Sequence, residues 1–170
     1  MKLNDAIFQR RSIRHYEKDF QIPTTDLEQI LKAAMSAPSA MNKQPWEFIV
    51  LTDKEALAKV QNNHPYASFL SDAGTGIIVC VDLTREYNGM GIIDVTLASQ
   101  NLMLEAHALG YGTCYCGVYP EHTDTFLELL DLPEHIIPIG LIALGKPSSP
   151  ISTTVKERFD PTRIHINSWE

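Results

Sequence analysis

Hydrophobic residues recur along the chain at two spacings, one typical of helices and one typical of buried strands. The longest helical pattern covers residues 89–109, and its apolar positions form two sets. One set consists of Ile92, Val95, Ala98, Leu102, Ala106 and Leu109, and the other of Ile93, Leu97, Leu104 and Ala108. Because a helix that is apolar on two sides needs more than one partner, we predict that it packs against a second subunit in a dimer.

Four segments rich in β-branched, aliphatic and aromatic residues predict strands. They are residues 46–52, 76–83, 113–119 and 136–144. The second segment is apolar almost throughout, which is typical of a strand covered on both faces, so the sheet needs helices on both sides. Shorter helical patterns occur at residues 3–9, 24–36, 54–61 and 124–130.

Polar residues mark two of the helix starts. Thr24 or Thr25 is the expected N-cap after Pro23, Thr25 and Glu28 have the spacing of a capping box, and Pro38 predicts the end of the helix that follows them. Asp53 is the expected N-cap of the helix at residues 54–61.

The length and composition are those of one globular domain. The chain has 170 residues, of which 44% are hydrophobic and 21% are charged. A formal net charge of −7 disfavours binding to nucleic acid or to an anionic membrane, because both attract basic surfaces. The first residues lack the pattern of a signal peptide, and no apolar run approaches the length of a membrane helix. We therefore predict a cytoplasmic protein with no nucleic-acid or membrane partner.

Three cysteines, Cys80, Cys114 and Cys116, lie in strand-like segments. An odd number of cysteines in apolar runs disfavours a disulfide framework and indicates a reducing compartment. Cys114 and Cys116 are two residues apart and so face the same side of a strand. Without a second close cysteine pair or suitably spaced histidines, we predict no metal site.

A cluster of cations follows the first helical segment of this acidic protein. Arg10, Arg11 and Arg14 flank Ser12 within five positions. Guanidinium groups match the oxygens of phosphate or carboxylate, so the cluster is a candidate anion clamp. The alternatives are a solvated basic edge and a set of salt bridges to surface acids.

The segment at residues 37–45 is bounded by prolines and rich in small or amide side chains, which predicts an ordered loop. Asn42 and Gln44 each carry a donor and an acceptor, as is needed to bind the edge of a heterocycle. Alternatively they brace the turn itself. Beyond the last strand, residues 156–169 have no helical stripe but contain several apolar and basic side chains, which indicates an arm that packs on another surface.

With these segments in order, the chain resembles the FMN-dependent nitroreductase family in its short, single-domain form. Four motifs carry the resemblance. They are Arg10-Arg11-Ser12-x-Arg14; Ala37-Pro38-Ser39-x-x-Asn42-x-Gln44-Pro45-Trp46; the helix with Asp94, Ala98, Gln100, Asn101 and Leu102 that leads into Leu109-Gly110-Tyr111-Gly112; and Lys156-x-Arg158-Phe159-Asp160 followed by Arg163-Ile164-His165.

The resemblance implies an α+β fold with three layers, α/β/α, around a central mixed β-sheet. It implies a single FMN-binding domain over residues 1–170 and an intertwined homodimer, with a C-terminal arm at about residues 148–170 that packs on the partner subunit. FMN then lies at the dimer interface.

The same resemblance implies the residues of the cofactor site. The phosphate, ribityl chain and pyrimidine edge of FMN are expected at Arg10, Arg11, Ser12, Arg14, Lys156 and Arg158. A loop expected to approach from the other protomer contains Pro38, Ser39, Ala40, Asn42 and Gln44. Tyr115 and Cys116 are expected beside the flavin ring, with backbone N–H groups from Gly117 and Val118.

No catalytic side chain is expected, because the flavin carries the redox chemistry. The implied activity is an FMN-dependent NAD(P)H oxidoreductase that reduces nitroaromatic or quinone-like acceptors by ping-pong hydride transfer. The alternatives are a family relative with other flavin chemistry, reductive dehalogenation or flavin fragmentation, and a non-catalytic FMN-binding or redox-sensing module. Lys146 departs from the family pattern, where a tyrosine is frequent, and is either a phosphate contact or a surface charge.

Overall fold

Helices cover both faces of a four-stranded sheet in this protein. The computed structural model describes residues 1–169. The α-helices in this range are α1 (Leu3–Gln9), α2 (Thr24–Met35), α3 (Lys54–Asn62), α4 (Leu70–Ala73), α5 (Gly91–Ala108) and α6 (Thr123–Leu129). The strands are β1 (Trp46–Leu51), β2 (Thr75–Asp82), β3 (Gly112–Gly117) and β4 (Ile136–Gly145). The helices and strands predicted above are confirmed, with their ends displaced by at most two residues.

The strand order is β1-β2-β4-β3, and each neighbouring pair is antiparallel. A parallel component comes from the segment after α1, where Ser12 forms a parallel bridge with Thr113. The N–H of Ile13 donates to the carbonyl of Thr113 at 2.8 Å. The arginine cluster is thereby attached to β3, the strand at one edge of the sheet.

Two apolar cores separate the three layers. On one face, α2 and α5 pack on the sheet around Ile30, Val95 and Leu102. On the other face, α3, α4 and α6 pack around Leu57, Leu70 and Phe126. All eight residues of β2 are buried, which confirms the prediction that this strand is covered on both faces.

The helix α5 buries one apolar face and exposes the other. Within the described chain, Ile92, Ile93 and Leu97 are 60%, 55% and 42% exposed. Ile92 was grouped with Val95, Ala98 and Leu102, which are buried, but Gly91 instead packs against Val81, where an added Cβ would lie 2.4 Å from Cγ1. Ile93 and Leu97, at the start of the second apolar set, are therefore left uncovered by this chain.

The two predicted helix caps have different outcomes. Asp53 caps α3, since its Oδ1 accepts from the N–H groups of Glu55 and Ala56 at 2.9 and 3.0 Å. The capping box of Thr25 and Glu28 is wrong. The helix α2 begins one residue earlier with Pro23 as N-cap, so Thr25 lies inside its first turn and no side chain caps it.

The tail after β4 packs loosely. Within residues 148–169 the structure has one 3-10 turn, Pro161–Arg163, and neither an α-helix nor a strand. Phe159, Ile164 and Ile166 are exposed, as expected of an arm whose apolar side chains pack on another surface. Glu170, the last residue of the predicted arm, lies outside the described residues. No helix in the described range is long and apolar enough to cross a membrane.

Candidate functional site

The end of α1 and the tail enclose a cavity of about 240 Å³, here called the basic cavity. Four of the predicted site residues line it: Arg10, Arg11, Lys156 and Arg158. The acid at this cavity, Glu157, already accepts a hydrogen bond from the N–H of Phe159 at 2.8 Å. Two basic segments that are about 145 positions apart in the chain therefore face one small space.

The cations of this region lack neutralising partners. Among residues 1–169, none of the ion pairs involves the cationic residues of the predicted site. Burial, followed by the like charges of Arg11 and Arg158, lowers the pKa of Arg10. The alternative of a set of salt bridges is thus not what the described residues contain. Converging guanidinium groups without carboxylate partners match the oxygens of an anion.

Arg11 also connects the two walls of the basic cavity. Its guanidinium donates to the carbonyls of Phe8 and Arg10 at 2.8 Å each, and to the carbonyl of Thr154 in the tail. The first two contacts place a cation at the C-terminal end of α1, where carbonyl groups are unsatisfied. Arg11 therefore helps to hold the tail against α1 as well as adding charge.

Two buried polar residues beside the cluster were missed by sequence reasoning. The ring nitrogens of His107 and the hydroxyl of Thr113 have no hydrogen-bond partner among the described residues. Burial, and then the charges of Arg10 and Arg11, lowers the pKa of His107. Since buried polar groups are normally paired, these atoms are additional hydrogen-bonding capacity near the basic cavity. The sequence signal was a single histidine in the last turn of α5.

A larger cavity of about 580 Å³, here called the edge cavity, lies at the open edge of β3. It is lined by Arg14, His15, Tyr66, Ser68, Phe69, Tyr115, Cys116, Gly117 and Tyr119. A third cavity of about 300 Å³ lies along Arg11, Ser12 and Arg14. The arginine cluster therefore runs from the basic cavity to the edge cavity, and three of the predicted ring contacts are at its far end.

The backbone of β3 presents one of its two predicted N–H donors to the edge cavity. The N–H of Val118 donates to the carbonyl of Ile139 at 3.1 Å, so it points inward to β4. Hydrogen bonding alternates along an antiparallel pair, so the N–H and carbonyl of Gly117 point away from β4. In this structure Gly117 is the residue of the two with a donor directed to the edge.

Tyr115 and Cys116 both make contacts within the fold. The hydroxyl of Tyr115 donates to the carbonyl of Ile139 at 3.2 Å, and the thiol of Cys116 donates to the carbonyl of Tyr66 at 3.5 Å. Cys114 and Cys116 lie in the same core cluster, which confirms that they share a face of the strand. The interaction between the two neighbouring thiols lowers the pKa of Cys114 and raises the pKa of Cys116.

His64, which the sequence did not indicate, contacts two residues that line the edge cavity, Tyr66 and Gly117. Its Nε2 lies 3.2 Å from the carbonyl oxygen of Gly117, and its Nδ1 accepts from the N–H of Tyr66 at 3.2 Å. The ring stands edge-on to Phe126, with centroids 5.9 Å apart. Burial lowers the pKa of His64, so the neutral ring is favoured.

The predicted loop at residues 38–44 is ordered but lies elsewhere. Both carboxylate oxygens of Asp94, at the start of α5, accept from the N–H of Ala40 at 3.1 and 3.2 Å. The amide of Gln44 donates to Oδ1 of Asn42 at 2.9 Å, and Ser39 Oγ accepts from Gln44 N–H at 3.0 Å. Within the described chain, Pro38 and its loop neighbours line neither the basic nor the edge cavity. Their contact with a cofactor stays a prediction that needs a second chain.

Lys146, the departure from the family pattern, is a surface charge. Its Nζ is 2.8 Å from Oε2 of Glu17 and 5.5 Å from the ring centroid of Phe20.

The three-layer fold thus carries a basic cavity and an adjoining open cavity at a sheet edge. The nitroreductase family model matches residues 7–64 and 61–146. The chain belongs to the nitroreductase family.

Known relatives are similar over nearly the whole chain. A candidate NADH dehydrogenase/NAD(P)H nitroreductase of Methanothermobacter thermautotrophicus is 42% identical over 172 residues, covering 99% of this chain and 88% of the relative. An oxygen-insensitive NADPH nitroreductase of Salmonella typhimurium is 30% identical and covers 94% of this chain and 71% of the relative. The solved structure of an FMN-dependent nitroreductase from Clostridium difficile superposes with a TM-score of 0.87 at 30% identity, covering 97% of this chain and 99% of that one.

Proposed function

We propose that this protein is an FMN-dependent NAD(P)H oxidoreductase that reduces nitroaromatic or quinone-like acceptors. The observation that carries the proposal is the meeting of Arg10, Arg11, Lys156 and Arg158 at one cavity, where none of the four forms an ion pair among the described residues. A flavin mononucleotide has a dianionic phosphate at one end and a ring with hydrogen-bonding edges at the other. The basic cavity would suit the phosphate end of FMN, and the edge cavity would suit the ring.

The residues present fit this cofactor. The four cations would hold the phosphate, with the unpaired atoms of His107 and Thr113 close to the same cluster. Ser12 and Arg14 line the third cavity, and Arg14 also lines the edge cavity, so these two residues would meet the ribityl chain. At the edge cavity the N–H of Gly117 would donate to the ring. When bound, FMN supplies the hydride chemistry. This is the reason why no catalytic side chain was predicted.

The open edge cavity suits a ping-pong reaction. Its walls include the rings of Tyr66, Phe69, Tyr115 and Tyr119, which can pack on planar aromatic molecules. One open site can admit NAD(P)H and then, after its release, a small aromatic acceptor. The role of the protein is to bind and orient the two reactants in turn.

A homodimer belongs to the same proposal. The exposed apolar face of α5 and the exposed apolar side chains of the tail support it, because large apolar groups exposed together mark an interaction surface. In such a dimer, the loop with Ser39, Asn42 and Gln44 would complete the site of the partner subunit. We also propose that residues 1–170 form a single domain. A cytoplasmic location is part of the same proposal and would keep the three free thiols reduced.

The test is an absorbance spectrum of the purified protein followed by anaerobic titration with NADH and NADPH. We expect bound flavin, its bleaching by at least one nicotinamide, and its recovery on addition of a nitroaromatic acceptor. Colourless protein that takes up no added FMN would overturn the proposal. Flavin that is reduced but not reoxidised by a diffusible acceptor would indicate a redox-sensing module instead. Analysis of the products would detect dehalogenation or flavin fragmentation.

A further inference from the structure

The imidazole of His64 is held in one tautomer. Its Nδ1 accepts from the backbone N–H of Tyr66 at 3.2 Å, and a backbone N–H can only donate. The proton of the neutral ring is therefore on Nε2, which lies 3.2 Å from the carbonyl oxygen of Gly117. A carbonyl can only accept, so both contacts agree on the same tautomer.

This contact occupies one of the two polar groups that Gly117 presents at the sheet edge. The carbonyl and N–H of Gly117 both point away from β4, because the neighbouring Val118 N–H donates to Ile139. With the carbonyl oxygen bound by His64, the N–H is the group left for a ligand in the edge cavity. Because His64 binds the carbonyl of Gly117, this part of the cavity wall offers a ligand a hydrogen-bond donor and no free acceptor.

A second contact joins the same two segments. The thiol of Cys116 donates to the carbonyl of Tyr66 at 3.5 Å, and the rings of Tyr66 and Tyr119 are 6.2 Å apart in an edge arrangement. The segment after α3 is therefore attached to the end of β3 by two contacts, those of His64 and Cys116. Both of these residues are buried.

We propose that His64 is a positioning residue: by binding the carbonyl of Gly117 and the N–H of Tyr66, it makes the Gly117 N–H the hydrogen-bonding group that meets the flavin ring. The proposal rests on the function proposed above. It concerns how the chain prepares the site, since His64 acts through Gly117.

Two substitutions at the same position separate positioning from simple packing. In His64→Gln the amide nitrogen reaches about as far as Nε2 and can still donate to Gly117. In His64→Asn the side chain can accept from Tyr66 but is too short for Gly117. His122→Asn is the matched control, because this nearby histidine forms no hydrogen bond to Gly117 among the described residues.

We expect the parent, His64→Gln and His122→Asn to bind FMN with dissociation constants within about twofold of one another. His64→Asn should bind FMN about fivefold more weakly, the effect of losing one hydrogen bond. The midpoint potential of its bound FMN should be more negative, since an unbound carbonyl would place negative partial charge beside the ring. Equal effects of both substitutions on affinity and potential, or no effect of either, would overturn the proposal.

Nitrogen NMR of the parent protein tests the geometry without any substitution and without activity. The resonances should show His64 protonated on Nε2 and unprotonated on Nδ1, and a proton on Nδ1 would overturn the proposal even if His64→Asn fails to fold. A parent protein that binds no FMN would instead overturn the proposed function, and the role of His64 toward the ring with it.

Discussion

The basic cavity and the loop at residues 38–44 satisfy their polar groups in opposite ways. At the basic cavity, Arg10 and Arg158 approach each other without a carboxylate in ion-pair range among the described residues. In the loop, Asn42 and Gln44 bind each other, and Asp94 holds the backbone at Ala40. Among the described residues, the cations of the basic cavity have no counter-charge, whereas the polar groups of the loop bind one another and Asp94.

The difference indicates which ligand contacts a single chain can form. Cations without counter-charges carry a free-energy cost that a bound anion removes. The residues of one protomer are therefore sufficient to form the basic cavity as an anion site. The loop instead has positive φ angles of 51°, 54° and 50° at Met41, Asn42 and Gln44, a conformation that is costly without support. Its internal hydrogen bonds give it a defined shape to offer to another chain.

The largest expected effect is on the exposed face of α5. Ile93→Glu places a carboxylate in the proposed interface, where burying it without a partner costs several kcal/mol. We expect dimer affinity to fall by at least about 100-fold and FMN content to fall with it, as measured by light scattering and absorbance. Leu83→Glu, at an exposed residue after β2, is the control. A dimeric Ile93→Glu that retains FMN would refute the interface.

The next largest effect concerns the basic cavity. Arg158→Ala removes a charge-assisted contact worth about 1.5 to 3 kcal/mol, so FMN should bind about 10- to 100-fold more weakly. Lys146→Ala is the matched control, because Lys146 pairs with Glu17 on the surface. Fluorescence titration measures both. If the two variants bind FMN with equal affinity, Arg158 does not bind the phosphate.

The loop should contribute less, and only in the dimer. Asn42→Ala is expected to weaken FMN binding about two- to tenfold, the range for one neutral hydrogen bond. Adding the same substitution to Ile93→Glu should have no further effect on residual binding, since the loop then faces no partner site. An equal loss in both backgrounds would place the loop in the site of its own chain.

The smallest effect is on stability at low pH. Burial lowers the pKa of His64 and His107 from 6.5 in the folded protein, so the unfolded chain takes up these protons first. Stability is therefore fully present above about pH 6.5 and decreases as the pH falls below it toward the folded values. Thermal unfolding should show a lower Tm in this window, with a weaker dependence in His64→Gln. A Tm that does not decrease on acidification below pH 6.5 would contradict this.

Local patterns were sufficient for most elements of the fold. The apolar run of β2 indicated burial on both faces, and Asp53 capped α3 as its type and position indicated. The capping box at Thr25 failed because a threonine one position earlier could also begin the helix, and spacing alone does not choose between them. Ile92 is exposed although Val95, Ala98 and Leu102 of the same set are buried, because Gly91, which has no side chain, packs against Val81 instead.

The site was predictable in part. Residues adjacent in sequence, such as Arg10, Arg11 and Arg14, carry a charge pattern that is visible without coordinates. His64 and His107 carry no such pattern, because a single histidine has many roles and its partners here are backbone groups or distant charges. The direction of the Val118 N–H was also hidden, since it depends on the register between β3 and β4.

The sequence by itself determined the elements, the family resemblance and the presence of two basic segments, because these depend on neighbouring residues and on composition. Only the tertiary structure decided that the segments at Arg10 and Lys156 face one cavity, that Gly117 presents the donor, and that His64 holds its carbonyl. Those relations join residues far apart in the chain, and packing of the sheet and helices sets their distances.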